Sequence, residues 1–460
     1  MTISNWNGSN RCAPAAVAVP HDLDALRAIV WDTVHYPSPV RALGELHSLN
    51  ESIETSGTAV FMTHFDRIGD PDLQANTVTV GAGVRMFDLN RKLKQHGLQL
   101  PVVPEIGNAT AGSVACCGTK DSSLGDTGPG QISSTVVAVR MLMADGSTVS
   151  TKNKEDLRLI RSSYGLLGII YEVTFRIQKR EKVRYRYARV KLDRWLKTGA
   201  LLPPPDSQDI LGGADGFLGF LLPYRRELLV ERRRRTDSPA GFGDYIKLAL
   251  RTFAWRWGAR PINSVLRRLP RKLRRWAVDH YISLLEKWAL RWFLLGLLGR
   301  FETYRADAMI DFERPVSSYF DFTFWAFPVS SWDRVVPAYL DFCVQFERQT
   351  GFRMALPSEV YFIRRDDSAL LSFSAGEDIF TLDMVNWTDE EPACWAAMNQ
   401  AFSEFAAEHG GRPLLNQTKG LTPFAAMQVW TPGWYALAVA RGLADPDKRF
   451  LTPYLRDLLP

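Results

Sequence analysis

Pro39-Val40-Arg41-Ala42-Leu43-Gly44-Glu45-Leu46-His47-Ser48 is the stretch on whose reading the fold turns. Val40, Ala42 and Leu43 read as a short buried strand, Gly44 permits a tight turn, and His47-Ser48 opens a polar loop running through Asn50, Glu51 and Ser52. The pattern predicts one imidazole held at the end of a strand, at an edge where a cofactor can meet it. A turn histidine bonded to neighbouring backbone satisfies the same residues. The segment alone leaves both readings open.

A chain of 460 residues exceeds what one core usually fills, so at least two domains are expected, and a 46% hydrophobic, 12% aromatic composition supplies ample core. The five cysteines, Cys12, Cys116, Cys117, Cys343 and Cys394, are odd in number and spread out, with no C-x-x-C pair and no zinc spacing. They fit a reducing compartment, and no metal is expected. The opening Met1-Thr2-Ile3-Ser4-Asn5-Trp6-Asn7-Gly8 lacks a basic region and an apolar run, so no signal peptide is read and a cytoplasmic protein is expected.

Residues 14–100 alternate strand-like and helix-like segments. Val17-Ala18-Val19-Pro20 reads as a strand ending at proline, and Asp22 or Asp24 caps a helix carrying Leu23, Leu26, Ile29 and Val30. Thr77-Val78-Thr79-Val80 runs into Gly81-Ala82-Gly83, and residues 84–97 read as a helix stopped by Gly97. The Gly-Ala-Gly turn invites a dinucleotide-binding fingerprint, but Met86 stands where its third glycine is needed and no well-placed acid follows.

Residues 98–123 are crowded with Gly, Ala, Ser and Thr, through Ala111-Gly112-Ser113 to Gly118-Thr119-Lys120-Asp121-Ser122. Short side chains let backbone N–H groups close on an anion or a flat ring, so the loop suits a diphosphate. An ordinary small-residue loop packed under a sheet fits as well. A strand over residues 135–143, a hairpin turn at Ala144-Asp145-Gly146-Ser147 and a glycine turn, Gly165-Leu166-Leu167-Gly168, feeding a strand from Ile169 complete the region.

In order and spacing these pieces, with Asn5-Trp6-Asn7-Gly8 at the start, resemble the FAD-binding domain of the vanillyl-alcohol-oxidase superfamily, and within it the sugar-lactone and alditol oxidase branch. The resemblance spans about residues 5–178. It implies an α+β fold, with a two-subdomain PCMH-type FAD domain followed by a substrate domain built on an antiparallel sheet flanked by helices. The histidine of the Gly-x-x-His-Ser turn is commonly bonded to the flavin 8α-methyl in that family, so the resemblance makes His47 a covalent attachment site. It makes Arg41, Gly44, Ser48, Gly112, Ser113, Gly118, Thr119, Ser122, Gly168 and Ile169 the further FAD contacts. Where the family often has Gly-Thr-His-Gly, this chain has Gly118-Thr119-Lys120-Asp121, so its flavin contacts differ in detail.

Beyond residue 180 the composition shifts. Leu201-Leu202-Pro203-Pro204-Pro205-Asp206 reads as a linker, and residues 215–222 and 227–231 as two strands of a second sheet. Between Arg232 and Arg300, 17 Lys or Arg stand against four acids, a local +13 in a chain of net +6. Trp255, Trp257, Trp276, Trp288 and Trp292 are interleaved with them. Arg, Trp and Leu on helical repeats suit an interfacial helix on an anionic membrane, although no stretch reaches the roughly 20 apolar residues needed to span one. A helical insert whose arginines are merely solvated is the plainer account. Nucleic acid is not expected, because exposed Leu-Leu runs do nothing for a phosphate backbone.

Tyr319 to Pro328 reads as one strand alternating across two faces, residues 332–350 as a helix, and Pro357-Ser358-Glu359-Val360-Tyr361-Phe362-Ile363 with Leu370-Leu371-Ser372-Phe373-Ser374 as a hairpin. In the sugar oxidases a Glu-Val-Arg strand faces the flavin; Glu359-Val360-Tyr361 keeps the acid and replaces the arginine. Gly410-Gly411-Arg412-Pro413 through Lys419 is similar to the family's Gly-Arg-Pro-His-Trp-Gly-Lys element without its His-Trp-Gly part. Glu359 and Lys419 are the expected catalytic pair, a solvated edge acid and a loop lysine being the plainer accounts.

The expected organisation is an FAD domain over residues 1–180, a substrate domain over 181–425 carrying the basic insert at 232–300, and a segment over 426–460 that packs back on the FAD domain. The expected function is FAD-dependent oxidation of an alcohol group on a sugar-like or lipid-linked small molecule by hydride transfer to flavin N5. The alternatives are a decaprenylphosphoryl-ribose-oxidase-like enzyme at the membrane surface and a peripheral membrane protein with a structural flavin. The substrate and the electron acceptor are not legible.

Overall fold

A computed structural model describes residues 1–119, 130–192, 214–257, 265, 268–311, 320–387, 391–430 and 433–459. The linker expected at 201–206 and the cofactor contact expected at Ser122 lie outside the described residues, as do parts of the basic insert.

Helix and sheet are mixed, as the α+β expectation requires. Near the N-terminus, Ala16–Ala18, Thr58–Phe61 and Val40–Leu43 form a three-stranded parallel sheet with Thr58–Phe61 in the middle. The helix Leu23–Trp31 crosses between the first two strands in sequence and buries Leu26, Ile29 and Val30. Asp22 is its cap, accepting from Ala25 N at 2.8 Å. A four-stranded antiparallel sheet follows, in the order Thr77–Gly81, Ile169–Arg176, Val136–Leu142, Thr148–Thr151. The hairpin expected at Asp145-Gly146 joins the last two, with Gly146 at φ 78°. The Gly81-Ala82-Gly83 turn serves close packing: a Cβ on Gly83 would stand 2.0 Å from the Met62 carbonyl oxygen.

The second half is an eight-stranded antiparallel sheet. Its spatial order is Arg300–Tyr304, Lys182–Lys191, Glu227–Arg235, Gly216–Leu222, Ser358–Ile363, Ile379–Thr381, Trp325–Pro328, Arg412–Pro413. Two expectations are corrected here. The run ending at Pro328 is two strands, because the Phe324 N–H donates to the Gln417 carbonyl and its C=O accepts from Thr418 Oγ1, which removes Phe324 from any ladder. Phe320–Thr323 therefore pairs separately with Met384–Trp387. The hairpin partner of Ser358–Ile363 is Ile379–Thr381 rather than residues 370–374. Ser372 and Ser374 instead accept from Gln131 Nε2 at 2.7 and 3.0 Å, tying that loop to the N-terminal half.

In the basic insert, Phe242–Trp257 and Arg271–Leu284 are helices, and the second continues through π-wide turns, Leu285–Ala289 and Trp292–Leu298. Leu290, Leu294 and Leu298 turn inward onto Tyr185, Phe220 and Phe301. Phe242, Phe253, Trp276, Trp288 and Trp292 face outward, Trp288 being 70% exposed. None of the described helices is long and apolar enough to cross a membrane. At the other end of the chain, Arg449 donates to the Val30 and Ile29 carbonyls and its own C=O accepts from Val40 N at 2.7 Å. The last segment is thereby laced to the strand that precedes His47.

Candidate active site

The Val40–Leu43 strand delivers the Gly44–Ser48 turn into a cavity of about 460 Å³. Leu46 takes a left-handed φ of 57°, which turns the chain, and its side chain is buried. The N-terminal segment clamps this turn: Trp6 N donates to Leu46 O at 3.0 Å and Asn5 Nδ2 to Ser48 O at 3.0 Å. The Trp6 ring lies 5.8 Å from the His47 ring, centroid to centroid. Gly44 cannot be another residue without rearrangement, since a Cβ there would stand 2.4 Å from Thr110 Oγ1 and 2.7 Å from Ser113 Oγ.

One wall of the cavity is formed by Arg41, Gly44, His47, Ser48, Gly112, Ser113, Thr119, Gly168 and Ile169, which are nine of the eleven expected cofactor contacts. Gly118 is not on that wall; it packs on Leu414, whose Cδ1 would lie 2.4 Å from an added Cβ. The expected phosphate cradle at 111–118 is partly spent: Ala111 N donates to Val84 O and Gly112 N to Ala82 O, each at 2.8 Å. Among the described residues the wall offers Thr110, Ser113 and Thr119 side chains and one cation instead. Arg41 is 9% exposed, gives Nη1 to the Tyr164 carbonyl, and leaves its Nε buried without a partner. Burial pulls the guanidinium below its ordinary range, with only the Cys117 and Cys116 thiols acting the other way. Among the described residues no carboxylate pairs with it, and a buried cation so placed is costly unless an anion arrives. The wall fits a diphosphate-bearing cofactor on that ground.

The opposite wall belongs to the second half of the chain. Glu359 and Tyr361 on Ser358–Ile363 line it, with Phe220, Trp255, Tyr281, Phe293, Phe320 and Trp387. Glu105 joins them from the first half. The Tyr361 hydroxyl donates to Glu105 Oε2 and lies 3.1 Å from Glu359 Oε2. Behind Glu105 stands Arg251 of the insert, with Nη2 3.5 Å from Glu105 Oε1 and Nε 3.3 Å from the fully buried Glu231.

The structure brings Glu359 to the cavity and sets Lys419 outside its lining. The Lys419 ammonium pairs with Asp321 at 2.8 Å, and Asp321 also accepts from Asn7 Nδ2 and Trp395 Nε1. Asp321 is on the back of the strand whose Phe320 and Phe322 face the cavity, because alternate residues of a strand point opposite ways. Lys419→Met is expected to lower unfolding stability by about 3 kcal/mol, measured by denaturant midpoint, through the stranded Asp321. A variant of wild-type stability would show that the pair contributes nothing. The same Gly410-to-Lys419 segment does supply cavity residues, Asn416 and Gln417, whose amide oxygens are buried without partners. Their lack of charge or pattern hid them in the sequence, as did the isolation of Glu105 between two prolines and a glycine.

Residues 14–152 match the FAD binding domain family. The L-gulono-1,4-lactone dehydrogenase of Mycobacterium tuberculosis strain H37Rv is 25% identical over 463 residues, covering 99% of this chain and 98% of that one. The L-gulonolactone oxidase of Scyliorhinus torazame is 24% identical, covering 98% and 96%. Along its whole length the chain is similar to these lactone-oxidising flavoproteins of the PCMH-type kind. A cholesterol oxidase of Brevibacterium sterolicum, the His121Ala mutant, shares the fold with a TM-score of 0.72 at 14% identity, covering 100% of this chain and 97% of that one. With an FAD binding domain and full-length relatives named as lactone oxidases and dehydrogenases, the protein is an FAD-dependent oxidoreductase.

Proposed function

We propose that this flavoenzyme oxidises a secondary or primary alcohol of a sugar-lactone-like small molecule, with His47 bonded covalently to FAD and Glu359 taking the hydroxyl proton. The observation that carries the proposal is that one cavity joins the wall bearing His47 and the buried Arg41 to the wall bearing Glu359. Bound FAD supplies the two-electron oxidant that accepts the hydride. Arg41 balances diphosphate charge, Ser113 and Thr119 hydroxyls complete the cofactor wall, and Asn416 and Gln417 present amides to whatever fills the cavity. Glu359 is the carboxylate on the substrate side of that cavity, within reach of an alcohol placed there. Lys419 acts through Asp321 by holding the Phe320–Thr323 strand in place. In this proposal residues 1–180 bind the cofactor, 181–425 the substrate, and 426–460 close on the cofactor domain. Anaerobic addition of aldonolactones and alditols is the test: bleaching of the yellow flavin supports the proposal, and a flavin that no alcohol bleaches leaves only a structural flavin.

A second substrate class is favoured by the cap wall, where Phe220, Trp255, Tyr281, Phe293, Phe320 and Trp387 suit an apolar body more than a polyol. The insert that supplies Trp255, Tyr281 and Phe293 also turns Phe253, Trp276, Trp288 and Trp292 to solvent amid its excess of basic residues. That combination supports a lipid-linked alcohol reached at an anionic membrane surface, including one of the decaprenylphosphoryl-sugar kind. The protein is then expected to float with vesicles containing anionic lipid and to be released only in part by high salt, since burial of Trp survives screening. Absence from the vesicle fraction removes this second class and leaves the sugar-lactone class standing.

A further inference from the structure

Tyr361 has one hydroxyl hydrogen and two carboxylates beside it. A phenol donates one hydrogen bond and accepts with its lone pairs, so it serves one carboxylate as donor and meets the other with acceptor electrons. The closer contact is to Glu105. What fixes that choice is Arg251, which reaches the site from the insert. Its side chain is 2% exposed, and Nη1 donates to the Ala308 carbonyl while the other nitrogens face Glu105 and Glu231. Glu231 is itself saturated by the Tyr187 hydroxyl at 2.5 Å and Arg233 Nε at 2.8 Å. Burial works against charge on Arg251, but Glu231, Tyr187 and Glu105 outweigh it and hold the guanidinium above its ordinary range. The array therefore keeps a permanent cation behind Glu105.

We infer that Arg251 and Glu105 are positioning residues for proton removal: they draw the Tyr361 hydrogen to Glu105, so that the phenolic oxygen offers its lone pairs to Glu359 once Glu359 has taken the substrate proton. The inference rests on the alcohol-oxidation proposal above. In the step, the alcohol carbon gives up its hydrogen with the C–H electron pair as a hydride that bound FAD would accept, the O–H proton goes to a Glu359 carboxylate oxygen, and the electron pair left by that proton forms the second C–O bond of the product. Ionised Glu359 has no hydrogen to give Tyr361; protonated Glu359 does. The contact at 3.1 Å thus strengthens as the proton arrives, which is stabilisation expressed in the transition state more than in the ground state. Arg251 comes from a helix of the insert, so the segment with the chain's densest positive charge also orders its proton acceptor.

Glu105→Gln tests the inference because it keeps size and removes the charge that orients Tyr361. In FAD-free protein, the infrared C–O mode of Tyr361, assigned by its loss in Tyr361→Phe, is expected to shift in Glu105→Gln. In the FAD-loaded protein, the limiting rate of anaerobic flavin reduction is expected to fall by about tenfold to a hundredfold with little change in the substrate concentration that half-saturates it. Arg251→Lys is expected to retain more of that rate than Arg251→Met. A Tyr361 mode unmoved by Glu105→Gln, or a wild-type reduction rate in that variant, overturns the inference and leaves the oxidase proposal intact. A wild-type flavin that no alcohol reduces removes both.

Discussion

Acid-precipitated wild-type protein is expected to keep its yellow colour in the pellet, and acid-precipitated His47→Ala protein to give all of its flavin to the supernatant. The imidazole ends a strand that is bonded on one edge to Thr58–Phe61 and pinned through Val40 N to Arg449. Its ring is backed by Trp6, whose own backbone holds the turn at Leu46. A histidine with so little freedom presents a ring nitrogen at a fixed place on the cofactor wall, which is the preorganisation a slow self-catalysed bond requires. The tryptic peptide over residues 42–67 should carry the mass of FAD in the wild type and not in the variant. His47→Ala should still bind FAD reversibly, because Arg41 and the Ser and Thr side chains of the wall remain. Quantitative release of flavin from the wild type by acid would falsify the covalent link and favour a noncovalent enzyme of the decaprenylphosphoryl-sugar kind.

How far this site was legible in the sequence depended on the distance over which each signal acts. The turn at Gly44 was readable because its demand is local: a strand, a small residue that permits approach to Thr110 and Ser113, then a histidine. The helix after Asp22 and the hairpin at Asp145-Gly146 were readable for the same reason, since caps and turns are settled within four residues. Glu359 was located by the resemblance of Glu359-Val360-Tyr361 to the sugar oxidases' Glu-Val-Arg strand. What it would touch was not, because Tyr361, Glu105 and Arg251 converge from positions up to 256 residues apart along the chain.

The two misread strands fail for a tertiary reason. Alternation from Phe320 to Pro328 and in residues 370–374 satisfies the local pattern of a strand. Gln417, Thr418 and Gln131, distant in sequence, take the backbone groups or the hydroxyls that the local pattern would give to a ladder or to solvent. Lys419 illustrates the limit of placing a residue by the element it belongs to. The Gly410-to-Lys419 segment does reach the cavity, but it does so through Asn416 and Gln417, while Lys419 has turned to neutralise Asp321 behind the wall. A buried carboxylate is a stronger claim on an ammonium than an open cavity, since an uncompensated buried charge costs several kcal/mol and a cavity can be filled by water.

Glu359→Gln is expected to leave a folded, yellow protein whose flavin is reduced by alcohol about a hundredfold to ten-thousandfold more slowly. The carboxamide keeps the shape of the side chain and its place on Ser358–Ile363, where Tyr361 N donates to Thr381 Oγ1 and the strand is paired on both sides. It cannot take the hydroxyl proton. Without that acceptor, hydride loss from carbon leaves a protonated carbonyl in a cavity whose far wall is aromatic, and Glu105, the carboxylate beside Glu359 on that wall, is already engaged by Arg251 and Tyr361. The cost therefore falls on the limiting rate of reduction rather than on binding. Stopped-flow reduction under anaerobic conditions separates the two, and a solvent deuterium isotope effect larger than that of the wild type should accompany the slower rate, since proton removal then governs it. Lys419→Met, tested beside it, should be the reverse case: a less stable protein with a reduction rate close to wild type. If Glu359→Gln is reduced as fast as wild type while Lys419→Met is slow, the proton leaves by the other route and the roles assigned to the two residues are exchanged.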